Sequence, residues 1–435
     1  MIEIFYDEQH RACLQNAFHE NWMVKQEDLG DPECVENGIV IPLHAYDIYN
    51  YEHGVSTPDG KYIISSGRFG CQPDLNEEIF KSPIQREETV IYAGRLHEHY
   101  GHFLLESTAR LWYYLEKRHH KLCFTIAESW HGVPGYAREF FDLLGIPEEQ
   151  IIICSEPTQF RRVIIPKLSF RMFAADYYPH SQVPRRYYTE KFLIPFRLAA
   201  KNIVPARHRK IYLSRKKWNK SRPIGETELE NCFIKNGYEP ISMEKFSLRE
   251  QIAIIKGAES IAGINGTAMH NVLFSDSKPE LILMNRSAAT DAQHIINQAL
   301  GVKCSLIKVH ATPLPVLHDQ GPFIVGCTTQ FIEFMQSRQM MVPDKPFDPT
   351  VYYRRFLQQW LQKWRSPFTS KYIEDQGLTQ IKMSDLMDVI TVTQRSLLHK
   401  LLYWVLAHVC VGAARRHWKD VRKQILRRKI SPPQY

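Results

Sequence analysis

From Lys210 onward the chain repeats one pattern, a short apolar run followed by a segment of helical spacing. That alternation constrains the fold more than any other feature. Strand candidates fall at 211–213, 239–242, 259–262 and 280–284, and helix candidates between them at 226–236, 247–257 and 267–274. Gly237 stands where a helix C-cap is expected, and Ser247 with Glu250 is in capping-box register. Strands separated by helices of about 10 residues predict a parallel sheet with helices on both faces.

A weaker version of the pattern occupies the first half. Residues 89–93 read as a strand, 94–99 as a turn and 101–117 as one helix. Strands are expected at 122–126, 150–154 and 162–166, with a helix at 136–144 stopped by Gly145-Ile146-Pro147. Up to residue 88 only short β-like runs stand out, at 38–42 and 61–65, and no chemistry is legible there. Residues 200–209, with Pro205 and clustered charge, read as a linker. A chain of 435 residues exceeds what one core accommodates. The expected division is therefore an N-terminal α/β domain (1–200), a C-terminal Rossmann-like domain (201–343) and a helical basic extension (344–435).

The formal net charge of +8 favours anionic partners, whether nucleic acid, a membrane face or phosphorylated small molecules. The nine cysteines are widely spaced and contain no CxxC pair. This predicts reduced, mostly buried thiols in place of a zinc site or a disulfide framework. The first fifteen residues lack a basic start, an apolar core and a cleavage site, so no secretory signal and a cytoplasmic location are expected. The most apolar stretch, 397–414, is interrupted by His399, Lys400 and His408, which disfavours a spanning helix.

Three segments hold the candidate chemistry. In the first, which runs from Gly94 to Glu106, His102 and Glu106 are four residues apart, with His99 one turn earlier. On a helix they share a face. A carboxylate that fixes an imidazole tautomer suits general-base work near pH 7. The same spacing also suits a surface ion pair or a satisfied core histidine. In the second, a strand ends at Ser214-Arg215, followed by Arg222, and arginine grips a diphosphate through paired donors; a solvated basic loop is the alternative. In the third, Gly263, Asn265, Gly266, Thr267 and Ala268 join a strand to a helix. Such a turn lets phosphates approach free backbone N–H groups. It is neither a full dinucleotide fingerprint nor a Walker loop, and a tight turn without a ligand fits equally. No Asp-x-Asp tripeptide is present to hold a divalent ion.

In this order the segments resemble glycosyltransferase family 61. The resemblance rests on Val90-Ile91-Tyr92-Ala93-Gly94 with Tyr100-Gly101-His102-Phe103-Leu104-Leu105-Glu106, on Phe140 through Pro147, and on Ile211-Tyr212-Leu213-Ser214-Arg215 with Arg222. It continues through Gly237-Tyr238-Glu239 and from Ser247 to Phe274. It implies a GT-B-type pair of Rossmann-like domains facing across a cleft. It further implies an inverting, metal-independent, cofactor-free transfer from a nucleotide sugar such as a UDP-sugar to a glycan or lipid-linked acceptor, in polysaccharide assembly of the capsule or lipopolysaccharide kind. Carried onto this chain, His102 and Glu106 become the base candidates. Arg215 and Arg222 become diphosphate ligands, and Gly263, Asn265, Gly266, Thr267 and Ala268 the donor turn. Glu250 and Gln251 either reach the donor or brace that turn. The family usually has His where this chain has Asn265, and asparagine cannot carry a proton.

Beyond 397 an apolar helical face (Leu398, Leu402, Val405, Val409) precedes a run of arginines and lysines. Residues 397–430 thus suit a helix on the anionic inner face of a membrane. A terminal helix pair with a solvated basic face is the alternative. A non-catalytic glycan- or nucleotide-sugar-binding scaffold subunit is the second functional class. Nucleic acid is disfavoured, because no recognised binding motif accompanies the charge.

Overall fold

The alternation after Lys210 folds into a six-stranded sheet whose pairings are all parallel. A computed structural model describes residues 2–364, apart from 20–23, 26, 46–50, 74, 76, 127–131, 176–180, 216–222, 287–290, 315, 317–320 and 344–346. The sheet order is Ile2–Phe5, Cys304–Lys308, Glu280–Asn285, Ser260–Ile264, Lys210–Leu213 and Glu239–Ile241. Ser260–Ile264, in its interior, is buried at every position. Parallel strands covered on both faces carry continuous apolar runs, as this one does. The N-terminal strand joins this sheet by pairing with Cys304–Lys308, a partner some 300 positions away that no local pattern announces.

The intervening helices are Glu226–Lys235, Leu248–Lys256 and Asp291–Leu300. The expected capping box is present: Glu250 N–H donates to Ser247 Oγ, and Ser247 N–H to the Glu250 carboxylate. The segment Thr267–Phe274, expected as an α-helix, is a 3-10 helix, with Met269 N–H reaching Gly266 O.

The first half builds a seven-stranded sheet with both parallel and antiparallel pairings. Its parallel part runs Thr158–Ile165, Ile84–Arg95, Lys121–Thr125, Ile151–Cys154. The antiparallel strands come from the residues that were hardest to read. Ile39–Ala45 and Glu33–Glu36 both pair with Thr158–Ile165, and Tyr51–Ser56 extends the edge. Residues 61–65 form no strand. Tyr62 makes a single bridge to Ser56, and Ile64–Ser66 is a 3-10 turn. Side chains supplement the backbone bonds Ile63 N to Val55 O and Thr57 N to Lys61 O there: Tyr62 donates to His53 O, and Ser66 Oγ accepts from Val55 N. A small third sheet joins Phe170–Arg171, Tyr187–Tyr188 and Val24–Lys25.

The single helix expected over 101–117 is broken. Tyr100–His102 is one α-turn, Phe103–Ser107 a π-turn, and an α-helix resumes at Leu111–Lys117. Hydroxyls compete with the helical ladder at the break. Ser107 Oγ donates to Arg95 O and accepts from His97 N, and Thr108 Oγ1 donates to Leu104 O. Such π-turns are common where side chains are re-aimed at a site.

One buried apolar cluster runs under both large sheets. At its centre Phe140 lies against Phe103, Phe196 and Phe274, with ring centroids 5.5, 5.9 and 6.1 Å away. Edge-on aromatic contacts of this kind add about 0.5–1.5 kcal/mol each beyond area burial. Glu139, on the helix Gly135–Leu143, accepts from Leu248 N at 2.7 Å. A carboxylate of the first half thereby caps the N-terminus of a second-half helix, where the dipole favours negative charge. The last described helix, Tyr353–Trp364, buries Phe356, Leu357 and Trp360 completely. Among the described residues seven cysteines are free thiols, five of them buried, and Cys34 is exposed. Among the described residues no helix is long and apolar enough to cross a membrane. The basic segment 397–430 lies outside the described residues.

Candidate functional site

The strand Ile84–Arg95 ends beside a bulge. Its register against Lys121–Thr125 shifts between Tyr92 and Gly94, and Gly94 has φ +96°, a conformation that favours glycine. Bulges at strand ends re-aim the residues that follow. Here they bring His97 and His102 to one carboxylate, with His99 beside His102. His102 Nδ1 lies 2.5 Å from Glu106 Oε1, and His97 Nε2 lies 3.6 Å from Glu106 Oε2. The rings of His97 and His99 stand 5.4 and 5.2 Å from that of His102.

Arg68 completes the group. Its Nε donates to Glu106 Oε2 at 2.6 Å and its Nη2 to Glu106 Oε1 at 2.9 Å. Paired donors on one carboxylate are among the stronger charge-assisted contacts. Arg68 also stacks over Phe173, 4.7 Å from the ring centre.

These contacts decide the protonation states. Burial alone would raise the Glu106 carboxyl, but Arg68, then His97 and His102, outweigh it and hold it well below the ordinary carboxylate range. Glu106 is therefore an acceptor. Burial pushes His97 well below its ordinary value, opposed by Glu106 and reinforced by Arg68 and Arg95, so His97 is neutral. His102 Nδ1 faces the Glu106 carboxylate, and an imidazole that donates through Nδ1 presents its other nitrogen, Nε2, as the acceptor. The His102 side chain is 38% exposed and that of Glu106 only 14%. Glu106 thus holds one end of a partly exposed imidazole.

The glycine turn of the second sheet meets this group directly. A Cβ on Gly101 would collide with Thr267 Cγ2, so only glycine permits the approach. Tyr100 donates its hydroxyl proton to Asn271 Oδ1 at 2.5 Å. His270 is buried, shares its Nδ1 with Gln293 Oε1 at 2.7 Å, and is lowered to about 4, by burial first and in smaller part by His102 and His99.

Arg215 packs on the same turn. A Cβ at Gly266 would strike Arg215 Nη1, and one at Gly263 would press on Met269 Sδ at 3.0 Å and on Leu213. Burial lowers the Arg215 guanidinium, with Glu226 opposing. Glu226, itself buried, accepts from Arg215 N at 2.8 Å. Asn265 is buried and donates to Asn285 Oδ1 at 2.9 Å, and Asn285 donates to Tyr6 Oη at 2.7 Å. Thr267 and Ala268 are half-buried.

Glu250 and Gln251 stand apart from that surface. Glu250 is bound in the Ser247 cap. Gln251 donates to Phe246 O and accepts from Asn271 Nδ2, so it braces the residue that Tyr100 touches. Arg222 lies outside the described residues. The sequence patterns passed over Arg68, Glu226 and His97. Arg68 is separated from Glu106 by 38 positions, without a motif to connect them. His97 was visible within the histidine-rich turn. Among the described residues no group of three or more His, Cys, Asp or Glu side chains is placed to hold a metal ion.

The family model described as Glycosyltransferase 61 matches residues 100–284, the span from the Tyr100 turn through the strand Glu280–Asn285. No curated protein matches the chain.

Proposed function

We propose, from the match of residues 100–284 to the Glycosyltransferase 61 model, that this chain is an inverting, nucleotide-sugar-dependent glycosyltransferase acting on a glycan or lipid-linked acceptor. The observation that carries the reading is the meeting of an imidazole–carboxylate pair, His102 and Glu106, with the glycine turn at Gly266-Thr267. In this reading His102 Nε2 takes the proton of the acceptor hydroxyl. The freed oxygen attacks the anomeric carbon, the bond from that carbon to the diphosphate breaks, and the configuration inverts. Glu106 steadies the imidazolium that forms, which is the usual division of labour in such pairs.

The departing diphosphate gains negative charge. Arg215 and the backbone N–H groups that follow Gly266 would receive it, without a bound metal ion. In the GT-B-type arrangement proposed here, residues 1–200 supply the acceptor side and 201–343 the donor side. Asn265 serves the turn through Asn285 and carries no proton. The basic segment 397–430 is the proposed contact with an anionic inner membrane face.

The direct test incubates the full chain with a panel of nucleotide sugars and follows its thermal stability and, with candidate acceptors, product formation. A ligand at 100 times its Kd stabilises by about 2.7 kcal/mol, well within reach. A shift with one nucleoside diphosphate sugar, unchanged by chelator, supports the donor site. Silence across the panel removes the proposal.

A further inference from the structure

Glu106 and His97, but not His102, also line a small cavity of about 40 Å³. Its charged lining is Arg68, Arg95, Arg110 and Arg171 against the single carboxylate of Glu106. Arg68 spends its donors on Glu106. Arg110 is buried and donates to the carbonyls of Pro166 and Ser65, which accept hydrogen bonds without bringing a negative charge. Glu33, which also feels Arg110, is paired with Lys167.

Arg171 is the decisive group. It is 4% exposed, and the pairing of Phe170–Arg171 with Tyr187–Tyr188 fixes its backbone. Its Nε and Nη1 have no hydrogen-bond partner among the described residues. Both nitrogens of His53, which also lines the cavity, are likewise without one. Buried polar groups are nearly always satisfied, and a buried guanidinium without a counter-charge costs several kcal/mol. The positive field is visible in its neighbours. His53 is lowered to about 3, by burial first and then by Arg95, Arg68 and Arg110. Arg110 is lowered to about 10, by burial and in part by Arg171.

We propose that this cavity is a subsite for an oxyanion of the acceptor, a sugar carboxylate or a phosphate ester, gripped by Arg171 with Arg110 behind it. The substrate class follows: the acceptor is an acidic glycan or a phosphorylated, lipid-linked one, and its anion anchors it beside Glu106. The planar donors of arginine suit either oxyanion. The assignment of the anion to the acceptor rests on the transferase reading; the anion site does not.

Melting of the full chain is followed against glucuronate, glucose 1-phosphate and neutral glucose at constant ionic strength, with a nucleoside diphosphate as a separate arm. The same titrations are run on Arg171→Met, Arg171→Lys and Arg215→Ala. The expected result is a saturable rise with glucuronate or glucose 1-phosphate and none with glucose. The rise weakens by about tenfold or more in Arg171→Met, the scale of lost charge-assisted contacts, while the nucleoside diphosphate response survives. Arg215→Ala does the reverse. A response to glucuronate alone assigns a carboxylate and a response to the phosphate alone a phosphorylated acceptor; equal responses support an oxyanion site that does not choose between them. If Arg171→Met does not fold, Arg171→Lys decides, since an affinity equal to wild type overturns the proposal. No anion response in the wild type also overturns it. Loss of the nucleoside diphosphate response in Arg171→Met would hand the cavity to the donor. An anion response without any nucleotide response would leave the subsite standing and sink the transferase reading.

Discussion

Two strand-to-helix turns meet in this molecule, and they are built to opposite specifications. After Arg95 the first sheet presents groups that can exchange protons: His97 and His102 on Glu106, with His99 beside the His102 ring. After Ile264 the second sheet presents glycines, a half-buried threonine and alanine, and a half-buried arginine. Both lie at the carboxyl ends of parallel strands, where α/β sheets leave helix starts and loops free for ligands. The difference teaches that topology supplies the place and side chains supply the chemistry. In the proposed reading one turn moves a proton and the other sits close to negative charge. Gly101 against Thr267 holds them together.

The contrast is broken most severely by His102→Ala. Loss of a general base costs about 10²–10⁴-fold in rate, so transfer should collapse while nucleotide-induced stabilisation stays. Unchanged turnover would remove the proton role from the first turn. Glu106→Gln should next cost about 3–5 kcal/mol in urea unfolding, because Arg68, mostly buried, would lose its counter-charge. A loss below about 1 kcal/mol would show that the ion pair is screened like a surface one.

A third test reads the histidines through pH. His270 and His294 are lowered to about 4, chiefly by burial. The ordinary value is about 6.5, so the unfolded chain binds these protons first. Stability is then complete above about pH 6.5 and falls as pH drops toward 4, by about 3 kcal/mol per group. Urea unfolding between pH 7 and 4.5 should show this slope, and His270→Gln should lower it by about one proton. An identical slope in that variant would mean His270 is charged in the folded state. The smallest effect is expected at the other turn. Arg215→Ala should weaken nucleoside diphosphate binding by about 1.5–3 kcal/mol, read from the shift in apparent Kd. Equal affinity would erase the distinction between the turns.

Much of the second half was legible because its signals are local. The Ser247 cap, the buried strand Ser260–Ile264 and the alternation itself follow from neighbours within about ten residues. The i,i+4 spacing of His102 and Glu106 likewise located their contact, although the helix that motivated it is a π-turn broken by Ser107 and Thr108. The antiparallel strands before residue 88 were faint, since their partner is Thr158–Ile165, more than a hundred positions on.

By itself, the sequence determined the α/β class, the parallel second sheet, the match of residues 100–284 to the Glycosyltransferase 61 model and the pairing of His102 with Glu106. Tertiary structure alone decided that Arg68 neutralises Glu106, that Gly101 admits Thr267, that Glu139 caps Leu248, and that Arg171 and Arg110 converge on one cavity. The physical reason is range. Helix caps and strand patterns are set by interactions between near neighbours along the chain. Buried charges, by contrast, are paired by whichever segments the packed core brings within a few ångströms, and no local spacing encodes that choice.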